Sequence, residues 1–231
     1  MNEKTVAFIF ARSGSKGVKD KNIQLINNIP LIGYSINIAK DSNLFSDIVV
    51  STDSQEIADI ANLYGASTPF NRPADLATDE SSEWLSWQHA VNSYMNITKF
   101  DYFFSLPVTS PLRSKNDILS MKDYFMDNSF DIVLGMTESH RSPYFNIVNK
   151  KDDGSVERVI DRANTISRRQ DAPKTYDLTT TGYITTPDYI LNNNNLFDGI
   201  VGGYEIPMNR SLDIDSEYDL MIARKILETN E

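Results

Sequence analysis

The chain has no cysteine, which excludes disulfides, thiolate metal sites, iron–sulfur clusters and a cysteine nucleophile. Its two histidines, His89 and His140, stand far apart in the sequence, and that isolation favours surface or local structural roles. No Gly-x-Ser-x-Gly elbow of a serine hydrolase occurs. Cations are in deficit, with 22 Lys+Arg against 32 Asp+Glu and a net charge of −10. That balance argues against general nucleic-acid binding, because polyanions attract extended basic faces. No stretch approaches the roughly 18 consecutive apolar residues of a helical membrane span. Met1-Asn2-Glu3-Lys4-Thr5 lacks the positive start and long apolar stretch of a secretory signal. Together these absences predict a cytoplasmic protein with neither a membrane nor a nucleic-acid partner.

What is present is ordinary globular composition: 231 residues, 40% hydrophobic and 23% charged. A chain of that length buries roughly 70–75% of its unfolded surface in one compact unit. Val6-Ala7-Phe8-Ile9-Phe10 is a continuous apolar run, the mark of a strand covered on both faces. Ile48–Ser51, Tyr102–Leu106 and Ile132–Met136 read the same way. Helical patterns lie between them: one from Pro30 through Leu31, Tyr34, Ile38 and Ala39, and one capped by Asp53 with Glu56 in the capping-box position and stopped by Gly65. Two more run around Trp84–Met95 and Asp117–Phe125. The three-residue spacing of Trp84 and Trp87 favours core packing. Alternating strands and helices predict an α/β fold with a largely parallel central sheet. Asp152-Asp153-Gly154 marks a turn between Phe145–Val148 and Val156–Val159, so a projecting hairpin is expected. The predicted organisation is a single domain over 1–231 with an inserted region at about 137–178.

The first strand runs into Ala11-Arg12-Ser13-Gly14-Ser15-Lys16-Gly17-Val18-Lys19-Asp20-Lys21-Asn22. Four cations in ten residues, where average usage places about one, make this a basic site within an acidic protein. Gly14 and Gly17 permit tight backbone, and Ser13 and Ser15 add hydroxyl donors. Such a loop after a buried strand can surround phosphate oxygens; the alternative is a solvated basic turn. It fits neither the Walker pattern nor Gly-x-Gly-x-x-Gly.

Near the other end, Ser211-Leu212-Asp213-Ile214-Asp215 alternates polar and apolar residues. As a strand, it would place Asp213 and Asp215 on one face, suited to a hard cation such as Mg²⁺ that completes its shell with water and phosphate. The alternative is a simple strand end before a helix capped by Ser216, with Asp219 three residues on. Arg168 and Arg169 offer a pair for a carboxylate, or else a charged surface turn.

The segment Ala11–Asn22 resembles the signature of the CMP-sialic acid synthetase (acylneuraminate cytidylyltransferase) family. The resemblance continues in order through Val50–Asp53, Arg72–Ala77, Thr109–Arg113, Arg168–Asp171 and Asp213–Asp215. It implies a three-layer, Rossmann-like nucleotidyltransferase in which CTP and a nonulosonic acid give a CMP-sugar and pyrophosphate. The implied catalytic residues are Arg12, Lys16, Lys21, Asp213 and Asp215, the last two holding Mg²⁺. Ala11, Arg12, Ser15, Lys16, Lys21, Asn22, Arg72 and Ser82 would bind nucleotide, and Arg168, Arg169, Gln170 and Tyr176 the sugar acid. The region around Ser142–Asp177 would form a homodimer element. Pro107-Val108 and Tyr176-Asp177-Leu178 depart from the family's usual runs, while Arg141–Asn146 and Ala172–Leu178 resemble the bacterial legionaminic-acid branch. The implied sugar is therefore a legionaminic-type acid rather than N-acetylneuraminate. The competing expectations are a sugar-phosphate nucleotidyltransferase using another NTP, and a non-catalytic nucleotide-binding protein.

Overall fold

A computed structural model of the chain describes residues 3–160 and 168–229. Its first half contains β1 (Thr5–Phe10), β2 (Leu25–Ile26), β3 (Ile29–Pro30), α1 (Leu31–Ser42), β4 (Asp47–Ser51) and α2 (Gln55–Tyr64). α3 (Glu83–Met95), β5 (Tyr102–Ser105), α4 (Lys115–Met126) and β6 (Ile132–Glu138) follow. The remainder holds β7 (Val148–Lys150), β8 (Val156–Arg158), β9 (Tyr176–Thr185), α5 (Pro187–Asn192), β10 (Val201–Glu205) and α6 (Glu217–Glu228).

Successive strand residues face opposite sides of a sheet, and here both sides are apolar. Ala7 and Ile9 of β1 join one core with Val50, Phe104 and Ile184, while Val6 and Phe8 join another with Val49, Phe103 and Tyr183. α1, α2, α4 and α6 cover the first face, and α3 and α5 the second. Trp84 and Trp87 are buried in the second core, as their spacing predicts. The result is three layers.

The sheet has the order β10-β6-β9-β5-β1-β4. It is parallel except for β9, which runs antiparallel to both β5 and β6. From β1 the chain passes to β4 on one side and later returns to β5 on the other. That reversal opens a crevice beyond the carboxyl end of β1, where α/β sheets take ligands. No helix among the described residues is long and apolar enough to cross a membrane.

Three local expectations are corrected. Ser54, not Asp53, caps α2: its hydroxyl accepts the Ile57 amide, and Asp53 turns away to another loop. Gly65 ends that helix at φ 93°, as expected. The Ser211–Asp215 segment is not a strand, because it finds no ladder partner. It is suspended instead between an Ile214 amide bond to the Thr109 carbonyl and a Ser216–Asp219 capping box on α6. The expected hairpin forms, with Gly154 at φ 85° in its turn, but its first strand starts only at Val148. The amides of Phe145, Asn146 and Ile147 all converge on the Ser142 carbonyl and close a turn there. β6 and β9 stay paired beyond the main sheet, out to Glu138 and Tyr176, and form the base of the projecting arm.

Candidate active site

The loop after β1 closes over the crevice. Ala11 is buried and its amide donates to the Ser51 carbonyl at the end of β4 (3.1 Å). Asn22 is buried too, and its amide group donates to the Arg12 carbonyl (2.8 Å), pinning the far end of the loop to its start. Ser13 is fixed twice by Asp53, through its amide (2.9 Å) and its hydroxyl (2.6 Å). Burial works against the Asp53 charge, yet these Ser13 bonds and the nearby Arg72 guanidinium hold its carboxyl below the usual range. Gly14 takes φ 68°, a conformation that L side chains rarely adopt.

Inside the loop lies a cavity of about 330 Å³ lined by Arg12, Ser15, Lys16, Lys21, Asn22 and Asp215, among others. The basic loop and the Asp213–Asp215 segment, distant in sequence, thus meet at one site. Lys21 Nζ donates to the Ile214 carbonyl (2.7 Å) and to Asp215 Oδ1 (3.3 Å). Gly17 packs directly against the Asp215 backbone. Arg12 and Lys16 both ion-pair with Asp79, Lys16 at 2.6 Å.

Asp213 and Asp215 differ in environment. The Asp215 side chain is 76% exposed, whereas Asp213 Oδ1 is buried with no hydrogen-bond partner. Burial pushes the Asp213 carboxyl up, and the Asp215 charge adds to that; the facing Thr109 and Thr180 hydroxyls and Lys21 pull it down. An orphaned buried oxygen beside a second, open carboxylate fits a Mg²⁺ ion that draws its other ligands from water and phosphate. Among the described residues no three acidic or histidine side chains cluster as a metal cage, so the protein itself would supply few ligands.

Arg72 is buried at the side of the crevice, where its guanidinium donates to Ser86 Oγ (2.5 Å) and Nε lacks a partner. Ser82 is the N-cap of α3 but makes no capping bond, and it lines a separate cavity of about 250 Å³ with Trp84, Trp87, Tyr183 and Phe197.

The family model described as cytidylyltransferase matches residues 6–222. The chain belongs to the cytidylyltransferase family. It is 38% identical over 222 residues to the "Post-translational flagellin modification protein B" of Campylobacter coli, covering 95% of this chain and 93% of that one. It is 37% identical over 221 residues to the "CMP-N,N'-diacetyllegionaminic acid synthase" of Campylobacter jejuni, again covering 95% and 93%. Among solved structures, a CMP:2-keto-3-deoxy-manno-octonic acid synthetase complexed with CTP superposes with a TM-score of 0.75, covering 99% of this chain and 100% of that one. At 14% identity, that likeness speaks for the fold alone.

In this cytidylyltransferase the residues expected to bind sugar stand apart from the cavity inside the basic loop. Arg168 forms a two-pronged ion pair with Asp171. The backbone of Arg169 opens a short 3-10 turn, Arg169–Asp171, and its side chain lies outside the described residues. Gln170 lines a cavity of about 470 Å³ with Glu138, Ser139 and Lys174 at the base of the arm. Tyr176 pairs with Glu138 in the β6–β9 extension.

Sequence reasoning missed Asp79, Thr180, Glu83 and the true role of Asp53. Only Asp53 carried a local signal, and that signal also fits a helix cap. Asp79 and Thr180 meet partners contributed by distant segments, whereas Glu83 bonds Trp87 one turn along its own helix.

Proposed function

We propose that this cytidylyltransferase transfers CMP from CTP to the anomeric hydroxyl of a nonulosonic acid of the legionaminic type. The hydroxyl oxygen bonds to the α-phosphorus, the bond from that phosphorus to the α,β-bridging oxygen breaks, pyrophosphate leaves with the bond's electron pair, and the hydroxyl proton passes to water. The observation that carries this reading is the meeting of the basic loop with Asp215 through Gly17 and Lys21. The two Campylobacter relatives support the substrate class.

Arg12, Lys16 and Lys21 would grip the triphosphate, replacing their present carboxylate partners with phosphate oxygens. Ser15 adds a donor, while the Ala11 and Arg12 backbone, Asn22 and Arg72 would face the nucleoside; Ser82, expected there too, lines the separate cavity instead. Asp213 and Asp215 would hold Mg²⁺, which when bound neutralises charge developing on the phosphates. Their task is to orient; Thr109, tied to Thr180 by a 3.1 Å hydrogen bond, keeps Asp213 in place. Catalysis on this reading is alignment plus neutralisation.

The cavity of Trp84, Trp87, Tyr183 and Phe197 would take the sugar, and the Asp213 charge acts on Tyr183 in its wall. The arm would complete a homodimer. Phe145, Val148, Val156, Val159 and Leu178 leave 42–61% of their surface exposed, an apolar area suited to a second copy. Arg168, Arg169, Gln170 and Tyr176 would then reach the partner's sugar.

The test incubates the protein with Mg²⁺, CTP and a panel of nonulosonic acids, reading pyrophosphate and product mass. A CMP-sugar is expected with a legionaminic-type acid. Absence of pyrophosphate with every sugar would overturn the reading.

A further inference from the structure

Arg72 is only 8% exposed, and its one side-chain hydrogen bond among the described residues is the 2.5 Å bond to Ser86 Oγ. Asp53 and Glu83 steady its charge from a distance, while Nε keeps no partner. A guanidinium carries five N–H donors, so this one retains donors for a ligand. Its main chain is fixed as well: the Arg72 amide donates to the Thr52 carbonyl just beyond β4 (2.9 Å), and Pro73 restricts the backbone before it. Ser86 lies on α3 and is completely buried. Its oxygen accepts from a group that has no lone pair to return, so its own proton points elsewhere; the Leu76 carbonyl, 3.4 Å away, takes it. That carbonyl ends the short 3-10 turn Ala74–Leu76 and also accepts the Ser81 hydroxyl at 2.9 Å. The Ser86 hydroxyl is thus oriented from behind, and the planar guanidinium bonded to it loses its freedom to swing.

We propose that Ser86 is a positioning residue for base selection: it turns the Arg72 guanidinium so that two of its N–H groups meet two neighbouring acceptors on a pyrimidine ring. The inference rests on the reading of Arg72 as facing the nucleoside and deepens it. Cytosine offers such a pair of acceptors, O2 and N3. Uracil shares the O2 acceptor but carries a proton on N3, which opposes the second N–H. A guanidinium free to swing would meet O2 alone and treat the two bases alike. Held by Ser86, it rejects uracil, because a buried donor is then left facing another donor.

The experiment titrates CTP and UTP calorimetrically into the protein with Mg²⁺ and no sugar acid. The wild-type protein is expected to bind CTP about ten-fold or more tightly than UTP. Ser86→Ala is expected to weaken CTP by roughly ten-fold, the scale of a lost hydrogen bond to a charged group, and UTP by less than about two-fold. In an Arg72→Lys background the same Ser86→Ala change is expected to move neither constant by more than about two-fold, because the group it positions is gone. A wild-type protein without preference for CTP, a CTP-to-UTP ratio that Ser86→Ala leaves unchanged, or a Ser86→Ala effect that persists beside Arg72→Lys overturns the assignment of Ser86. Failure of the underlying reading has a different signature: Arg72→Lys alone would then leave CTP binding unchanged.

Discussion

A Cβ added to Gly17 would stand 2.1 Å from the backbone carbonyl oxygen of Asp215. No neighbour can give way cheaply, because the obstructing atom is main chain. This contact sets the spacing between the basic loop and the acid-bearing segment, and it makes Gly17 a position where one methyl group acts on two sites at once.

Gly17→Ala is expected to force these segments apart by an ångström or more. Overpacking of this kind costs about 1–3 kcal/mol of stability, while the effect on turnover is larger, on the order of 10²-fold in kcat/KM, since misplacement of about 1 Å disrupts alignment. Gly14→Ala is the useful contrast, because nothing lies within 4 Å of its added methyl and only its φ of 68° opposes the change. Pyrophosphate release at saturating CTP compares the two. Equal activity in both variants would remove Gly17 from the argument.

Asp79 holds both Arg12 and Lys16 by ion pairs. The Lys16 ammonium, with the Arg12 guanidinium beside it, keeps the Asp79 carboxyl below its ordinary range. A triphosphate must displace this carboxylate before it can use either cation. Asp79→Asn is therefore expected to tighten CTP binding in the absence of sugar by roughly two- to five-fold, a modest gain because the pairs are solvent-exposed. Isothermal titration of CTP reads it directly. Unchanged or weaker binding would show that Asp79 supports the loop rather than competing with its ligand.

The parts of this fold that the sequence shows well are those with two apolar faces. β1, β4, β5 and β6 read as strands because both cores need their side chains. β9 is hidden for the opposite reason. Its Leu178-Thr179-Thr180-Thr181-Gly182 run looks like a loop, yet Thr179, Thr181 and Thr185 are buried. Their hydroxyls are satisfied inside the structure, Thr185 by the Asp131 carbonyl at 2.6 Å and Thr179 by Thr181 at 3.0 Å. β10 contains Gly202 and Gly203, whose missing side chains admit Phe130 and Met136, so its apolar pattern is thin. In the site, the cationic loop and the two acids were legible from local composition. Asp79 and Glu83 were not, since their meaning lies in what the fold sets against them.

Arg113 shows how the core supports the site. It is 4% exposed, and its guanidinium donates to the carbonyls of Ser110 (2.9 Å), Thr181 (3.0 Å) and Pro107. These bonds hold the turn that presents Thr109 to Asp213 and join it to β9. Arg113→Met leaves three carbonyls without that donor, a loss of about 3 kcal/mol, or roughly 6–12 °C in Tm for a chain of this size. Calorimetry measures the first effect. A parallel rise in the Mg²⁺ concentration for half-maximal activity tests the second, and its absence would separate Arg113 from the acid pair.

Asp117 and Arg210 make a more solvent-sensitive version of the same support. Asp117 accepts two bonds from the Arg210 guanidinium, at 2.8 and 2.9 Å, and one from the Ser114 amide at 2.8 Å. Burial alone would raise the Asp117 pKa; the Arg210 and Ser114 bonds outweigh it and hold the group below its usual 3.8. A carboxyl depressed in the folded state contributes stability that is present above the unfolded value and is lost as pH falls through the folded one. Asp117→Asn is expected to cost about 2 kcal/mol at neutral pH, less than a fully buried pair because Arg210 is 33% exposed. The gap in urea midpoint between wild type and variant should stay wide above about pH 4 and close below it. Arg210 ends the short turn just before Asp213, so loosening it also frees the Asp213–Asp215 segment. A variant with a constant stability gap down to pH 2 would mean that packing, rather than the charge on Asp117, fixes that segment.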